Sequence, residues 1–436
     1  MPRPVVRSRR AGGHRVRRGA GAALACAQVL AGGCRDLLRA DAPQLIEESV
    51  AQRPGNAAVL VAWAVGDFEC ALTSYIVTAG LVTDELADAQ GAGDLHNLDR
   101  RTVSPALNVV AAAPCGSLGA LYTPLSVARY QADNAGRLLE GWTDEQVTDR
   151  RAQLARMAAY GGYALVLLGE AFCSAAVDRG PELSPAQLFA LAEERFTRAI
   201  EVSTAAGGAA GDSLRRLALV GRARARANQG RTAEAAADAA LVPTGFVFNA
   251  RYVSPPARSE NRVFRLNNTQ GAVVVAPSFR GLTAGATPDP RVPVADAGRN
   301  ALNGITRLWA QGKYASLTAP IPIATWREAT LIRAEAAIAG GDVAAGVGLL
   351  NDLRRARNLA TLAVPATAAA ARPLLVEERR RELFLESHRL HDTIRFGVPL
   401  SPAPGTPFPT GGTYGDQKCL PLPDVERLNN PNIGGG

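Results

Sequence analysis

The sequence predicts a mostly α-helical protein, with helix pairs in an α–α superhelix and a long loop-rich segment containing short strands. Three observations carry this. The apolar mass is largely Ala, Leu and Val, with only 5% aromatic residues, a mix that favours helix over sheet. Apolar residues recur at helical spacing through most of the chain. That period stops between Pro243 and Pro322, where Pro, Gly and Asn separate short apolar runs.

With 436 residues, 47% hydrophobic and 20% charged, the composition is globular rather than disordered. The net charge of +8 could suggest nucleic acid, but its distribution argues against that. Residues 1–33 carry seven arginines and no acid, so without them the charge falls to +1 (8 − 7). The basic excess belongs mostly to a leader.

Met1–Arg18 reads as a positive n-region, and residues 19–33 as the short apolar core of a secretory signal. The run is too short to span a bilayer, which needs about 20 apolar residues. It ends Leu30-Ala31-Gly32-Gly33-Cys34, small residues before a cysteine, as a lipoprotein signal peptidase requires. Leu30 stands one position further from the cysteine than usual, and Cys26 is a weaker rival. The expected layout is a signal peptide over 1–33, lipidation at Cys34, and one domain over 34–436. That domain divides into helices (34–242), an irregular segment (243–322) and C-terminal helices with a tail (323–436).

The first core helix is expected over Asn56–Gly80, with Trp63 and Phe68 on its apolar stripe. The acidic stretch between Gly80 and Pro114 fits no regular calcium loop and reads as a solvated excursion. Helices follow over Leu118–Gly141 and Thr143–Gly169, the second capped by Thr143 and Gln146. Another starts at Ser184-Pro185, with Pro at its first position. Residues 213–241 read as helix, turn, helix. Gly221, Ala225 and Ala235 lie on the packing face and Gly230 at the turn, similar to a tetratricopeptide pair. Phe246–Phe248, Val263–Leu266 and Ala272–Val275 are strand-like. Two more helices follow Thr325.

Leu374–Gly397 has the period of one long helix. Val376, Leu383, Leu390 and Ile394 form an apolar stripe with Ser387 in it. Beside it runs a charge ladder of Glu382, Glu386, Arg389, Asp392 and Arg395. One reading is a solvated face of weak i,i+4 pairs. The other is that the charges are partly buried and fix how this segment docks.

The segment E-R-x-R-E-L-x-x-E-x-x-R-x-x-D-x-x-R-x-G (Glu378, Arg379, Arg381, Glu382, Leu383, Glu386, Arg389, Asp392, Arg395, Gly397) resembles the C-terminal signature of the RagB/SusD family. Ser387 stands where the family usually has Gly. Glu328, Ala334, Glu335, Ala336, Asn351 and Arg354 match a preceding family segment. Pro288-Asp289-Pro290-Arg291 resembles its D-P-R turn, and Pro421, Pro423, Glu426 and Asn430-Pro431 its ending. The resemblance implies a lipid-anchored nutrient binder on the outer membrane, exposed at the cell surface. It would deliver an oligosaccharide or other nutrient to a TonB-dependent transporter. Ligands in the family are typically held by loop aromatics. By location that points to Trp309, Tyr314 and Tyr252 in the irregular segment, while Trp142 reads as a packing residue.

Cys70, Cys115, Cys173 and Cys419 permit two disulfides in an exported protein. If the helices after Cys115 and before Cys173 are antiparallel, those cysteines meet, which leaves Cys70–Cys419. Buried free thiols are the alternative. No Walker, H-E-x-x-H, G-x-S-x-G or C-x-x-C sequence appears. Four scattered histidines do not suggest a metal site, and His388 and His391 read as packing or surface residues. No cofactor and no enzymatic activity are expected. The rival reading from another class is a helical-repeat scaffold that binds a protein in the periplasm.

Overall fold

A computed structural model describes residues 52–433 of the chain; the leader and Cys34 lie outside the described residues. The described residues form one unit by their contacts. The architecture is mostly helical, with strands only in pairs.

Helix α1 (Ala57–Val82) is the axis of the first half. From Cys70 to Val82 every residue is buried, which explains its unbroken apolar and small composition. It is the one helix among the described residues long and apolar enough to cross a membrane by composition; here protein surrounds its second half. Its first half differs: Val59 and Trp63 are 43% and 49% exposed, so Trp63 is not the core residue its spacing suggested. Short helices α2 (Asp94–Arg100) and α3 (Asn108–Ala112) lead to α4 (Tyr122–Gly141) and α5 (Arg150–Ala171). Thr143 and Gln146 do bond, Thr143 N–H to Gln146 Oε1 at 2.9 Å, but they close a turn before α5 rather than start it.

Helix α6 (Pro185–Ala206) begins at Ser184 with both halves of a capping box made with Gln187. Helix α7 (Gly208–Asn228) packs on α6, and α8 (Thr232–Ala239) packs on α7. Gly207 alone separates α6 from α7. Phe196 of α6 is fully buried, and side chains at Gly162 or Gly221 would collide with its ring. Glycine at these two positions therefore sets how closely α5 and α7 approach α6.

The strands are β1 (Leu86–Asp88), β2 (Ala175–Ala176), β3 (Glu182–Leu183), β4 (Val247–Ala250), β5 (Val273–Val275), β6 (Thr283–Ala284), β7 (Thr287–Pro288), β8 (Val294–Asn300), β9 (Arg307–Gln311) and β10 (Ile321–Thr325). All pairs are antiparallel: β1 with β5, β4 with β10, and three hairpins. Val263–Leu266 is not a strand. Asn261 caps a helical turn there, α9 (Arg262–Phe264), which continues as a wider turn. Asn261 Oδ1 accepts the Phe264 N–H, and this local bond wins over β propensity.

Helices α10 (Trp326–Ala339) and α11 (Val343–Arg355) pair, and α12 (Ala368–Glu382) covers them. The expected long helix over Leu374–Gly397 breaks. After α12 the chain turns through Leu385 and Ser387, at φ 53° and 70°, before α13 (Arg389–Arg395). Left-handed backbone costs an L residue about 1–2 kcal/mol, which accounts for the glycine that the family resemblance expects at Ser387. Other segments hold the turn. Tyr314 Oη donates to the Leu385 carbonyl, Leu385 N–H donates to Glu85 Oε1, and Lys313 Nζ donates to the Phe384 carbonyl. A last helix, α14 (Asp424–Asn429), closes the tail.

The charge ladder is not a solvated face. Glu382, Glu386, Arg389 and Asp392 are buried, and most of its pairs reach other elements. Arg389 grips Asp84 with bonds of 2.6 and 2.9 Å, tying α13 to the end of α1. Arg379 grips Asp392 with two bonds of 2.9 Å. Glu386 meets Lys313 at 2.7 Å, Glu382 meets Arg327 at 3.0 Å, and Arg395 meets Glu335 at 2.5 Å. Glu378 takes Arg354 at 2.6 Å and Arg291 at 2.5 Å, and Arg291 also holds Asp289. The acidic excursion is likewise not solvated throughout, because Asp84, Glu85 and Asp99 are buried. Periodicity alone could not separate a face turned to water from one turned to arginines across a junction.

The disulfides are Cys70–Cys115 and Cys173–Cys419, not the pairs expected. Helix α4 starts at Tyr122, so Cys115 sits in a loop beside the middle of α1 and not at the end of α4. Cys173 meets the tail instead: its N–H donates to the Leu420 carbonyl, and Leu420 N–H donates to Ala171.

Two tests follow from the buried charges. Arg389→Ala leaves Asp84 buried without its partner, and the expected loss is about 3–5 kcal/mol in urea unfolding. A change under about 0.5 kcal/mol would show the pair to be energetically idle. Glu328, beside Arg224 and His388, is buried with no hydrogen bond to its Oε1. Burial pushes its carboxyl up to about 8 despite Arg224 and Arg379. The folded protein then keeps a proton that the unfolded chain releases at about 4.5, so this group costs stability as pH rises from about 4.5 to about 8. Glu328→Gln should flatten that decline in denaturation midpoints; an unchanged slope would assign it to other groups.

Candidate functional site

The three aromatics expected at a site differ in their surroundings. Tyr252 and Tyr314 are buried, and both hydroxyls donate to backbone, to the carbonyls of Glu69 and Leu385 at 3.0 and 2.8 Å. Burial drives both phenols well above their ordinary range. Tyr314 is enclosed, whereas Tyr252, 6% exposed, lines a concavity beside α1. Residues flanking Gly and Pro in an irregular segment need not be exposed when that segment itself packs on the core.

Trp309 is half-buried on β9. In the register of the β8–β9 hairpin, Asp296 stands opposite Trp309, so the two share a face. The alternation along β9 adds Arg307 to that face and sends Leu308 to the other. Leu308 is buried there with Ala89, Val274 and Ala301. Arg307 Nε meets Asp296 Oδ1 at 2.7 Å, and Gly298 N–H donates to the same oxygen. The bond from Arg307 lowers the Asp296 carboxyl. Buried Asn267 pins the strand, donating to the Trp309 carbonyl at 3.1 Å and accepting the Gln311 N–H at 2.8 Å.

Arg280 covers the indole, with its guanidinium carbon 5.1 Å from the ring centroid. Its Nε donates to the Val275 carbonyl at 2.8 Å, and it makes no ion pair with a carboxylate among the described residues. On β8, Arg299 donates to the Asn268 and Asn300 carbonyls and also holds no carboxylate. The site is therefore an aromatic ring layered under a cation, flanked by a carboxylate–guanidinium pair. Sequence reading reached Trp309 by location. It missed Arg280, Asp296 and Arg307, for which only the strand alternation and the Asn-Gly turn of residues 303–304 left a signal.

A concavity of about 620 Å³ lies elsewhere, between the first half of α1, the start of α5 and the end of β4. Val61, Val65 and Tyr252 give it an apolar lining, with Glu69, Arg156 and Arg251 among its polar groups. Burial pushes Glu69 up to about 7, opposed by the hydrogen bond from the Arg251 N–H. No group of His, Cys, Asp and Glu arranged to hold a metal occurs among the described residues. His388 and His391 are buried; burial first, then nearby arginines, lower His388, and burial takes His391 to about 4.

Residues 326–423 match the model of the SusD family. No curated protein matches the sequence. Among solved structures, a SusD homolog from Bacteroides thetaiotaomicron superposes with a TM-score of 0.67 at 14% identity, covering 88% of this chain and 96% of its own. A laminarin binding SusD-like protein superposes at 0.65 with 16% identity, over 87% and 98%. A SusD-like carbohydrate binding protein from Bacteroides vulgatus does so at 0.65 with 14% identity, over 87% and 97%. The family match lies across the buried signature, and the fold of the described chain is that of these SusD-like structures.

Proposed function

We propose that this protein captures an oligosaccharide at the β8–β9 hairpin and delivers it to a TonB-dependent outer-membrane transporter. In this reading it is held on the cell surface by a lipid on Cys34. Its task is binding, not bond-making. The observation that carries the reading is the half-buried Trp309 with Arg280, Asp296 and Arg307 grouped at one surface. Carbohydrates need this combination: apolar ring hydrogens against an aromatic or guanidinium plane, and hydroxyls bonded to charged groups. Relatives of the same fold described as laminarin binding and carbohydrate binding support the ligand class.

The test is a glycan array with the mature protein, followed by titration of the hits against Trp309→Ala. Loss of the indole removes the support under Arg280. The expected cost is about 1–3 kcal/mol of affinity, the size of a base–aromatic stack, read below the melting transition because the variant also loses the indole's packing on the core. Unchanged affinity would move the site away from the hairpin. Delivery is checked by affinity capture from detergent-solubilised native membranes: a co-purifying TonB-dependent transporter supports it, and its absence counts against it.

A further inference from the structure

We infer that the ligand bound at the hairpin is an acidic oligosaccharide, bearing carboxylate or sulfate groups, and that Arg280 receives the charge. The inference rests on the carbohydrate-binding reading and narrows it.

The argument begins with what a ligand would meet. A platform for neutral sugars presents a bare aromatic face. Here the indole of Trp309 packs on the core and carries the Arg280 guanidinium above it. The ring therefore serves as a backing plate that orients a cation. Around the signature, arginines are matched to acids: Arg291, Arg354, Arg379, Arg389 and Arg395 each hold a carboxylate. Arg280 stands outside that rule. Its Nε is used by the Val275 carbonyl, which fixes the plane, while no carboxylate among the described residues meets the two terminal nitrogens.

Local charge points the same way. On and beside the hairpin, Arg307 holds Asp296, while Arg280 and Arg299 hold no carboxylate among the described residues, which leaves two of the three arginines unmatched (3 − 1). Burial lowers the affinity of Arg280 for its proton, and no acid offsets that cost. A guanidinium held flat with a free edge suits a bidentate bond to a planar carboxylate or to two sulfate oxygens. A neutral hydroxyl would take one of those donors and leave the charge uncompensated.

The experiment uses the mature protein on an array with three arms. The first holds uronate oligomers (oligogalacturonides, alginate fragments). The second holds sulfated oligomers (chondroitin sulfate, heparin fragments). The third holds neutral oligomers (laminarin, cello-, xylo- and malto-oligosaccharides). Acidic hits are expected at least tenfold tighter than any neutral one, with binding weakened by salt. Comparison of the first two arms identifies the anion. Methyl-esterifying a uronate hit, or desulfating a sulfated one, should abolish the advantage. Arg280→Gln should cut affinity for the acidic hit by tenfold or more. Arg280→Lys, which keeps the charge without the fork, should recover part of it, with melting close to that of the parent. Neutral hits as tight as acidic ones, or an Arg280→Gln protein with unchanged affinity and salt response, would overturn this inference and leave carbohydrate binding intact. Failure to bind any glycan would overturn both.

Discussion

Asp84 and Arg389 form the constraint on which the rest is arranged. Each would be costly to bury alone; together, bonded at 2.6 and 2.9 Å, they join the end of the first core helix to the last signature helix across 305 positions. Two buried charges fit only one mutual position well. An apolar contact between α1 and α13 could slide by a turn, whereas this bidentate pair cannot. The other signature pairs repeat the logic, with Glu378 receiving Arg354 and Arg291 and Asp392 receiving Arg379. The chain thus uses charge to specify register and apolar packing to supply stability.

That constraint reaches the hairpin. The turn between α12 and α13 presents backbone carbonyls at Phe384 and Leu385, which take Lys313 and Tyr314. Those two residues follow Gln311 and Gly312, the end of β9. The Gln311 side chain continues the chain of bonds, accepting the Tyr314 N–H and donating to Asn268. Trp309 lies two residues upstream, on the strand that Asn267 holds. A sequence signature about 75 residues downstream of Trp309 therefore sets where its ring stands. Tyr314, expected to touch ligand, is a link in that support.

The helical architecture was legible because it rests on periodicity and caps. Ser184 with Gln187, and the glycines that admit Phe196, behave as their residue types dictate. Three things were illegible for definable reasons. The break at Leu385 and Ser387 depends on tertiary bonds from Tyr314 and Glu85, which no local pattern encodes. The disulfide partners depended on where α4 begins, and its seven-residue delay after Cys115 changed the geometry. The side chains around Trp309 come from β8, β9 and the segment after β5, and only the pairing register brings them together.

Trp63 and Trp309 illustrate why aromatic residues mislead a sequence reading in opposite directions. Trp63 sits at core spacing on a long apolar helix, yet that helix is covered only along its second half, so the ring is half exposed. Trp309 sits in a loop-rich segment that suggests exposure, yet the segment folds back on the core and a guanidinium caps the ring. Hydrophobic period reports which face of an element is apolar; it does not report how far along the element a neighbour extends. Exposure is thus a property of the neighbours. Here the neighbour that matters is Arg280, whose missing acid partner changes the chemistry that Trp309 can offer.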